Sequence, residues 1–338
     1  MPVAVYGGKG ELTVEHKPVP EPGPGEVLVE VSHCGVCGTD VHMVLEGWGR
    51  PGTVGGHEWS GRIAAAGPGA EVWSVGTPVV GGELIACGTC AMCTAGRPSQ
   101  CDRRPPVTGS GHDGAFARFV VTAAAGVVAV EDGVSLRTAA LTEPLAVAMH
   151  AITRAAVEAG DRVLVTGAGP IGLLAVAALR AQGVNDVVVS EPAPSRRERA
   201  AAIGAAVVTP AALEIPPLPM DLIADPFDAV LECSGRADAM QTGLTQLRRG
   251  GRLVLVGTGM HAPRVDNNRI LLNELVITGA YNYDAGGFSA ALALLGSGRL
   301  PIDLLIEPDD VPLSGLLDAI HKLAGAELAA KVLVVPDA

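Results

Sequence analysis

Apolar positions along the chain follow two rhythms. From the N-terminus to about residue 140, short apolar runs alternate with glycine turns, which predicts short strands in a mainly antiparallel, barrel-like domain. Residues 1–30 read as β-hairpin material, with Pro18-Val-Pro-Glu-Pro-Gly-Pro-Gly25 as a rigid surface loop between strands. From about 145 to 284 the rhythm changes. Apolar runs near 162–166, 186–190, 207–209, 228–233, 252–257 and 275–279 alternate with helical stretches. That alternation predicts an α/β doubly wound parallel sheet. The tail from 285 predicts a helix at 288–296, another near 313–323 and a last strand at 331–335.

A length of 338 residues suits about two domains, each with its own core. Hydrophobic residues make up 48% of the chain, yet no stretch of 18 or more is free enough of polar breaks for a membrane span. The 44 glycines suit tight strand–helix packing and, with few aromatics, make Trp48, Trp59 and Trp73 conspicuous. A net charge of −12 argues against nucleic acid, which calls for a basic face. Residues 1–10 lack the apolar core of a secretory signal, so the expected setting is the cytoplasm.

Four cysteines at 87, 90, 93 and 101 sit in one small-residue loop. Four thiolates can close a tetrahedral shell around a zinc ion, and such a loop has little else to fold around. Paired disulfides are the rival reading, disfavoured in a reducing compartment. A closed site of this kind holds a loop and does no chemistry.

A second set of ligand types lies upstream. Cys34-Gly-Val-Cys-Gly-Thr-Asp-Val-His42 is followed by Gly55-Gly-His-Glu-Trp-Ser-Gly61. A thiolate, the His57 imidazole and the Glu58 carboxylate suit a catalytic zinc with one open position. Cys34 and Cys37 compete for the thiolate role, and spacing does not choose between them. Glu143, in Thr142-Glu-Pro-Leu, reads by itself as the first turn of a helix.

The third feature is Gly167-Ala-Gly-Pro-Ile-Gly172, between an apparent strand and an apolar helix. Gly167, Gly169, Pro170, Ile171 and Gly172 would cradle a dinucleotide pyrophosphate on the helix N-terminus. Glu191 ends the next strand, near the distance expected for the group that binds the adenosine ribose. Arg196 and Arg197 follow, either of which could lie against the adenine or answer a 2′-phosphate. Cys233, at the end of an apolar run, reads as structural.

Together these motifs resemble the zinc-dependent medium-chain alcohol dehydrogenases over essentially the whole chain. The Glu143-Pro-Leu form is similar to the polyol and threonine dehydrogenase branch. The resemblance implies a Rossmann domain at 145–284 and a GroES-like catalytic domain at 1–144, completed by 285–338, with the active site in the cleft between them. It implies two zinc ions per chain. Cys37, His57, Glu58 and Glu143 would hold the catalytic ion, and Cys87, Cys90, Cys93 and Cys101 the structural one. It also implies a proton relay from Thr39 through the nicotinamide ribose to His42, with Asp40 supporting His57.

Zinc lowers the pKa of bound water from roughly 16 to about 7, and an alcohol should respond similarly. The expected activity is oxidation of a small secondary alcohol, polyol or amino alcohol to the ketone with NAD(H). The alternatives are an NADP(H)-linked carbonyl reductase and a zinc-stabilised nucleotide-binding protein without turnover. The expected partners are a small alcohol or ketone, no nucleic acid, no membrane, and further copies of the chain in a dimer or tetramer. Trp48 and Tyr281 are candidates for the substrate pocket.

Overall fold

The computed structural model describes residues 1–81, 86–103 and 113–336. The chain divides into two compact units, Met1–Ala146 with Tyr283–Gly298 and Ile306–Ala338, and Val147–Asn282 with Arg299–Leu305.

In the first unit, β1 (Pro2–Gly8) and β2 (Glu11–His16) form an antiparallel hairpin. The loop 17–25 then leads into β3 (Glu26–Gly35), the spine of the main sheet. β3 pairs antiparallel with β4 (Glu58–Ala66) along one edge. Its first half pairs along the other edge with β6 (Phe119–Ala123). β4 continues to β5 (Pro78–Gly81), and β5 to β7 (Val127–Ala129). Val27, Val29 and Val31 of β3 bury against Ile63, Val79, Phe116 and Val120. The apolar alternation along β3 thus becomes the inner face of a largely antiparallel, barrel-like unit.

The second unit is a six-stranded parallel sheet. Its strands are β8 (Arg162–Thr166), β9 (Asp186–Ser190), β10 (Ala206–Val208), β11 (Phe227–Glu232), β12 (Leu247–Leu255) and β13 (Val276–Gly279). Their spatial order is β10-β9-β8-β11-β12-β13, with every pairing parallel. This is the doubly wound order of dinucleotide-binding sheets, reversing direction between β8 and β11. β12 starts five residues before the expected 252. Leu247 pairs with Phe227, the register then shifts, and Arg252 pairs with Ala229. The polar Arg248-Arg249-Gly250-Gly251 stretch lies in this irregular part, which is why apolar periodicity does not show it. Helix Pro170–Ala181 is buried all the way from Gly172 to Leu179, as its unbroken apolar run requires.

The tail is shared between the units. Helix Gly287–Gly296 stands with the first. Arg299–Leu305 stands with the second, because the turn Ile302–Leu305 packs on helices Pro170–Ala181 and Pro194–Ile203. β14 (Val311–Pro312) then pairs in parallel with β15 (Leu333–Val335). β15 in turn pairs antiparallel with the end of β3, setting Leu333 opposite Gly35 and Val334 opposite Cys34. Because Gly35 also lies opposite Glu58 in the β3–β4 register, residues near 35, 58 and 333 meet at one corner. Among the described residues no helix is long and apolar enough to cross a membrane.

Candidate active site

That corner holds the candidate catalytic residues. Cys37 precedes a short helical turn, Gly38–Val41, and its backbone N–H donates to Asp40 Oδ2 at 2.8 Å. His57 and Glu58 sit at the entry to β4. One ligand atom from each of Cys37, His57 and Glu58 lies within 4.8 Å of the other two. Thiolate sulfur, imidazole nitrogen and carboxylate oxygen form a donor set suited to zinc. Cys34 is not in this group. It is fully buried, and burial first, then the charges of Asp40 and Glu58, push its thiol well above the usual range. Thr39 Oγ1 lies 3.7 Å from the Cys37 sulfur. His57 loses solvation through burial, but the facing charges of Cys37, Asp40 and Glu143 outweigh that loss and raise its pKa well above the ordinary value.

Glu143, in the first turn of helix Thr142–Ala155, is linked to this group by charge and falls outside the 4.8 Å set. Burial, with Glu58 and Asp40 adding to it against His57 and Lys331, lifts its carboxyl to about 7.

Lys331, carried in by the β15 pairing, is 1% exposed and faces Glu58, which is 0% exposed. Its Nζ donates to Glu58 Oε1 at 2.7 Å and to the Val36 carbonyl at 3.0 Å. Nζ is also 2.7 Å from Oε2, so the ammonium faces both oxygens of the carboxylate. Beside a thiolate and an imidazole, this carboxylate completes a set of donor types that zinc takes. Burial disfavours the ammonium, yet Glu58, Cys37 and Glu143 around it raise its pKa. A side chain at position 35 would collide with the Glu58 carboxylate, so glycine there is a condition of the pairing.

The four-cysteine loop is equally compact. Cys87, Cys90, Cys93 and Cys101 place their sulfurs within 4.8 Å of one another, Cys87 and Cys93 at 3.9 Å and Cys90 and Cys101 at 4.0 Å. Zn–S bonds of about 2.3 Å in a tetrahedron imply sulfur–sulfur edges of about 3.8 Å. All seven cysteines are free thiols, which removes the disulfide reading. Backbone N–H groups of Thr89 and Cys90 draw the Cys87 thiol down to about 5, favouring the thiolate a metal needs. The loop is moored to the tail, with Ser99 Oγ donating to Asp284 Oδ1 at 2.7 Å.

In the second unit, the glycine turn leads from β8 into helix Pro170–Ala181, with Gly169 as its N-cap and proline at its first position. Gly167 has φ +92° and packs against Ser234. Glu191 is buried, accepting from the Ala168 N–H at 2.7 Å through Oε2 and from the Ala193 N–H at 2.8 Å through Oε1. Arg197 Nη1 donates to the carbonyls of Glu191 and Pro192 at 2.8 and 2.6 Å. Arg196 Nη1 reaches the Gly169 turn, within 4.0 Å of where a Cβ would stand. Buried Glu232 joins β11 to β8 by accepting from Thr166 Oγ1 and from the N–H groups of Ser234 and Gly235. This places an ordered loop at the strand ends, where such sheets bind cofactors.

Comparison with known proteins agrees with this arrangement. Residues 23–132 match the alcohol dehydrogenase GroES-like domain, and residues 170–297 match the zinc-binding dehydrogenases. The chain is 33% identical to sorbitol dehydrogenase of Halalkalibacterium halodurans, over 99% of this chain and 98% of that protein. It belongs to the zinc-dependent medium-chain alcohol dehydrogenases. It is also 36% identical to L-threonine 3-dehydrogenase of Pyrococcus furiosus, over 90% of each chain. The two relatives place this dehydrogenase on the polyol and threonine branch, as the Glu143-Pro-Leu resemblance implied. The crystal structure of galactitol-1-phosphate dehydrogenase from Escherichia coli superposes with a TM-score of 0.89 at 26% identity, covering 99% of this chain and 100% of that one.

Sequence reasoning missed Lys331 because a lone lysine before an apolar run carries no local signal; only its 273-residue-distant partner gives it meaning. Tyr281 is part-exposed in the second unit. Trp48 stacks on His42.

The Glu58–Lys331 pair generates a stability test on metal-free dehydrogenase. Lys331→Met leaves a buried carboxylate without its counter-ion and should cost about 3–5 kcal/mol in denaturant unfolding of the first unit. Lys331→Met combined with Glu58→Gln should recover most of that loss. Equal losses in the single and double variants would mean that the pair is not what the corner depends on.

Proposed function

We propose that this dehydrogenase uses NAD(H) and a catalytic zinc to oxidise a small secondary alcohol, polyol or amino alcohol to the ketone. The observation that carries the reading is the compact Cys37–His57–Glu58 donor set, whose Glu58 is buried and held by Lys331. A closed structural metal alone would not need such a set. Bound there, zinc supplies Lewis acidity that lets the alcohol give up its proton near neutral pH, and the nicotinamide accepts the hydride.

The chain's own residues supply the rest. Cys37 and His57 anchor the metal, and Glu58 and Glu143 share the remaining protein position. Glu143 holds a proton up to about pH 7 in the metal-free protein, so joining the metal would release it. Thr39 takes the alcohol proton and His42 delivers it to solvent. Cys87, Cys90, Cys93 and Cys101 hold a second, structural zinc. Sorbitol and threonine, named in the two relatives, both carry a secondary hydroxyl beside another polar group, which supports a polyol or amino alcohol here.

Glu191 supports NAD over NADP. Its two engaged oxygens leave acceptor capacity for ribose hydroxyls. A 2′-phosphate beside it meets like charge, at a cost of several kcal/mol. Arg197 donates to two carbonyls, and Arg196 Nη1 reaches the Gly169 turn. Seven free thiols suit the reducing cytoplasm. β13, which carries the part-exposed Val276, ends the described sheet with an open edge, a surface suited to a second copy of the chain.

Elemental analysis of active protein should give two zinc ions per chain. Chelation should remove the catalytic ion first and abolish activity with the fold intact. A single zinc in fully active protein would overturn this reading. Glu143→Ala should lower kcat/KM for the alcohol at least tenfold, about 1.4 kcal/mol, without loss of folding. Unchanged kinetics would leave Glu143 as a helix-start residue.

Cofactor titration should show kcat/KM for NAD at least tenfold above that for NADP, narrowed by Glu191→Ala. Equal use of both cofactors by the unmodified enzyme would mean that Arg196 outweighs Glu191.

A further inference from the structure

His42 is held in a way that the relay alone does not account for. It opens a π-helical turn, His42–Glu46, a rare backbone form that recurs at functional sites. The turn brings Glu46 Oε2 to 2.8 Å from His42 Nδ1. The chain then reverses at Gly47, whose φ of +83° is the left-handed conformation that glycine adopts without strain. The Trp48 and Gly49 N–H groups bond back to the carbonyls of His42 and Met43 at 3.4 and 3.3 Å. This lays the Trp48 indole on the imidazole, with ring centroids 4.6 Å apart and planes 20° from parallel. Trp48 remains 45% exposed, so core packing alone is a weak reason for its place.

A carboxylate can only accept, so an ionised Glu46 requires Nδ1 to carry the hydrogen. In the other tautomer a lone pair on Nδ1 would face the carboxylate. The neutral ring is then left with a lone pair on Nε2 alone. We propose that Glu46 and Trp48 are positioning residues that hold His42 as the Nδ1–H tautomer, in a fixed plane, so that Nε2 is the proton acceptor of the relay. The proposal rests on the dehydrogenase reading above. In the step it describes, the alcohol proton passes to the Thr39 oxygen as the Thr39 hydroxyl proton moves on along the relay, and His42 Nε2 takes up the proton that arrives at its outer end. The resulting imidazolium keeps Nδ1–H on Glu46 and gives its Nε2 proton to water. One proton moves from alcohol to solvent, and His42, Thr39 and Glu46 end as they began.

The test uses zinc-loaded enzyme labelled with ¹⁵N-histidine, with His42→Gln identifying the His42 signals. Above the pH at which the ring is charged, His42 should show a protonated Nδ1 and a bare Nε2. Glu46→Ala should lose this preference, whereas Glu46→Gln should keep it, because the amide oxygen also accepts. In kinetics, Glu46→Ala should lower kcat at least fivefold with KM little changed, and Glu46→Gln should restore most of it. Trp48→Leu should keep the tautomer and lower kcat at least twofold; unchanged kcat would remove Trp48 from the proposal. A wild-type His42 with Nε2 protonated, or equal kinetics for Glu46→Ala and Glu46→Gln, would overturn the role of Glu46. If His42→Gln itself leaves kcat unchanged, the relay reading fails, and the step assigned to Glu46 falls with it, while the tautomer is still read directly. Should Glu46→Ala not fold, Glu46→Asp, with its shorter reach, takes its place with the same expected loss.

Discussion

The first unit depends on one buried ion pair. Glu58 and Lys331 are both shut away from water, and removing each ion from solvent costs several kcal/mol unless the other is there to meet it. Lys331 comes from the last strand and Glu58 from β4, so the pair forms only when β15 has docked on the end of β3. The corner is therefore complete only when β15 is in place. Glycine at 35 and a strand register that sets it between the two partners are both conditions of that closure.

Charge gives the corner its chemical character. Cys37, Asp40, Glu58 and Glu143 can each be an anion, and His57 and Lys331 are the cations that face them. Six ionisable groups in a poorly solvated space leave an excess of negative charge. One part of the response is visible in Glu143, whose carboxyl stays protonated to about 7. A dication among Cys37, His57 and Glu58 would relieve the remainder. Lys331 faces both Glu58 oxygens and so orients the carboxylate. The four-cysteine loop solves a different problem. Its sulfurs are met by one another, by the Thr89 hydroxyl and by backbone N–H groups, and its mooring to Asp284 ties a segment with little core of its own to the tail.

The second unit follows a simpler logic. Parallel strands buried on both faces need apolar runs, and the runs are what the sequence displays. Its functional groups lie at strand ends. Glu191 and Glu232 are buried carboxyl groups that accept from backbone N–H groups of the turns beside them, so each stabilises the loop geometry at the strand ends.

The sequence by itself determined the family, the parallel sheet, the antiparallel unit and the two donor sets, because each is written in local spacing. Cysteines three and eight residues apart in one loop, a glycine turn between strand and helix, and His57 joined to Glu58 need no knowledge of distant contacts. The start of β12 was hidden because a polar, register-shifted stretch has no apolar period. Only the tertiary structure decided between Cys34 and Cys37 on physical grounds, since the two differ in burial and not in kind. Only it brought Lys331 to Glu58, divided the tail between the units, and turned Glu46 and Trp48 onto His42. Those outcomes depend on strand register, on which face of a turn a side chain occupies, and on what is left without water, and none of these is a property of neighbouring residues alone.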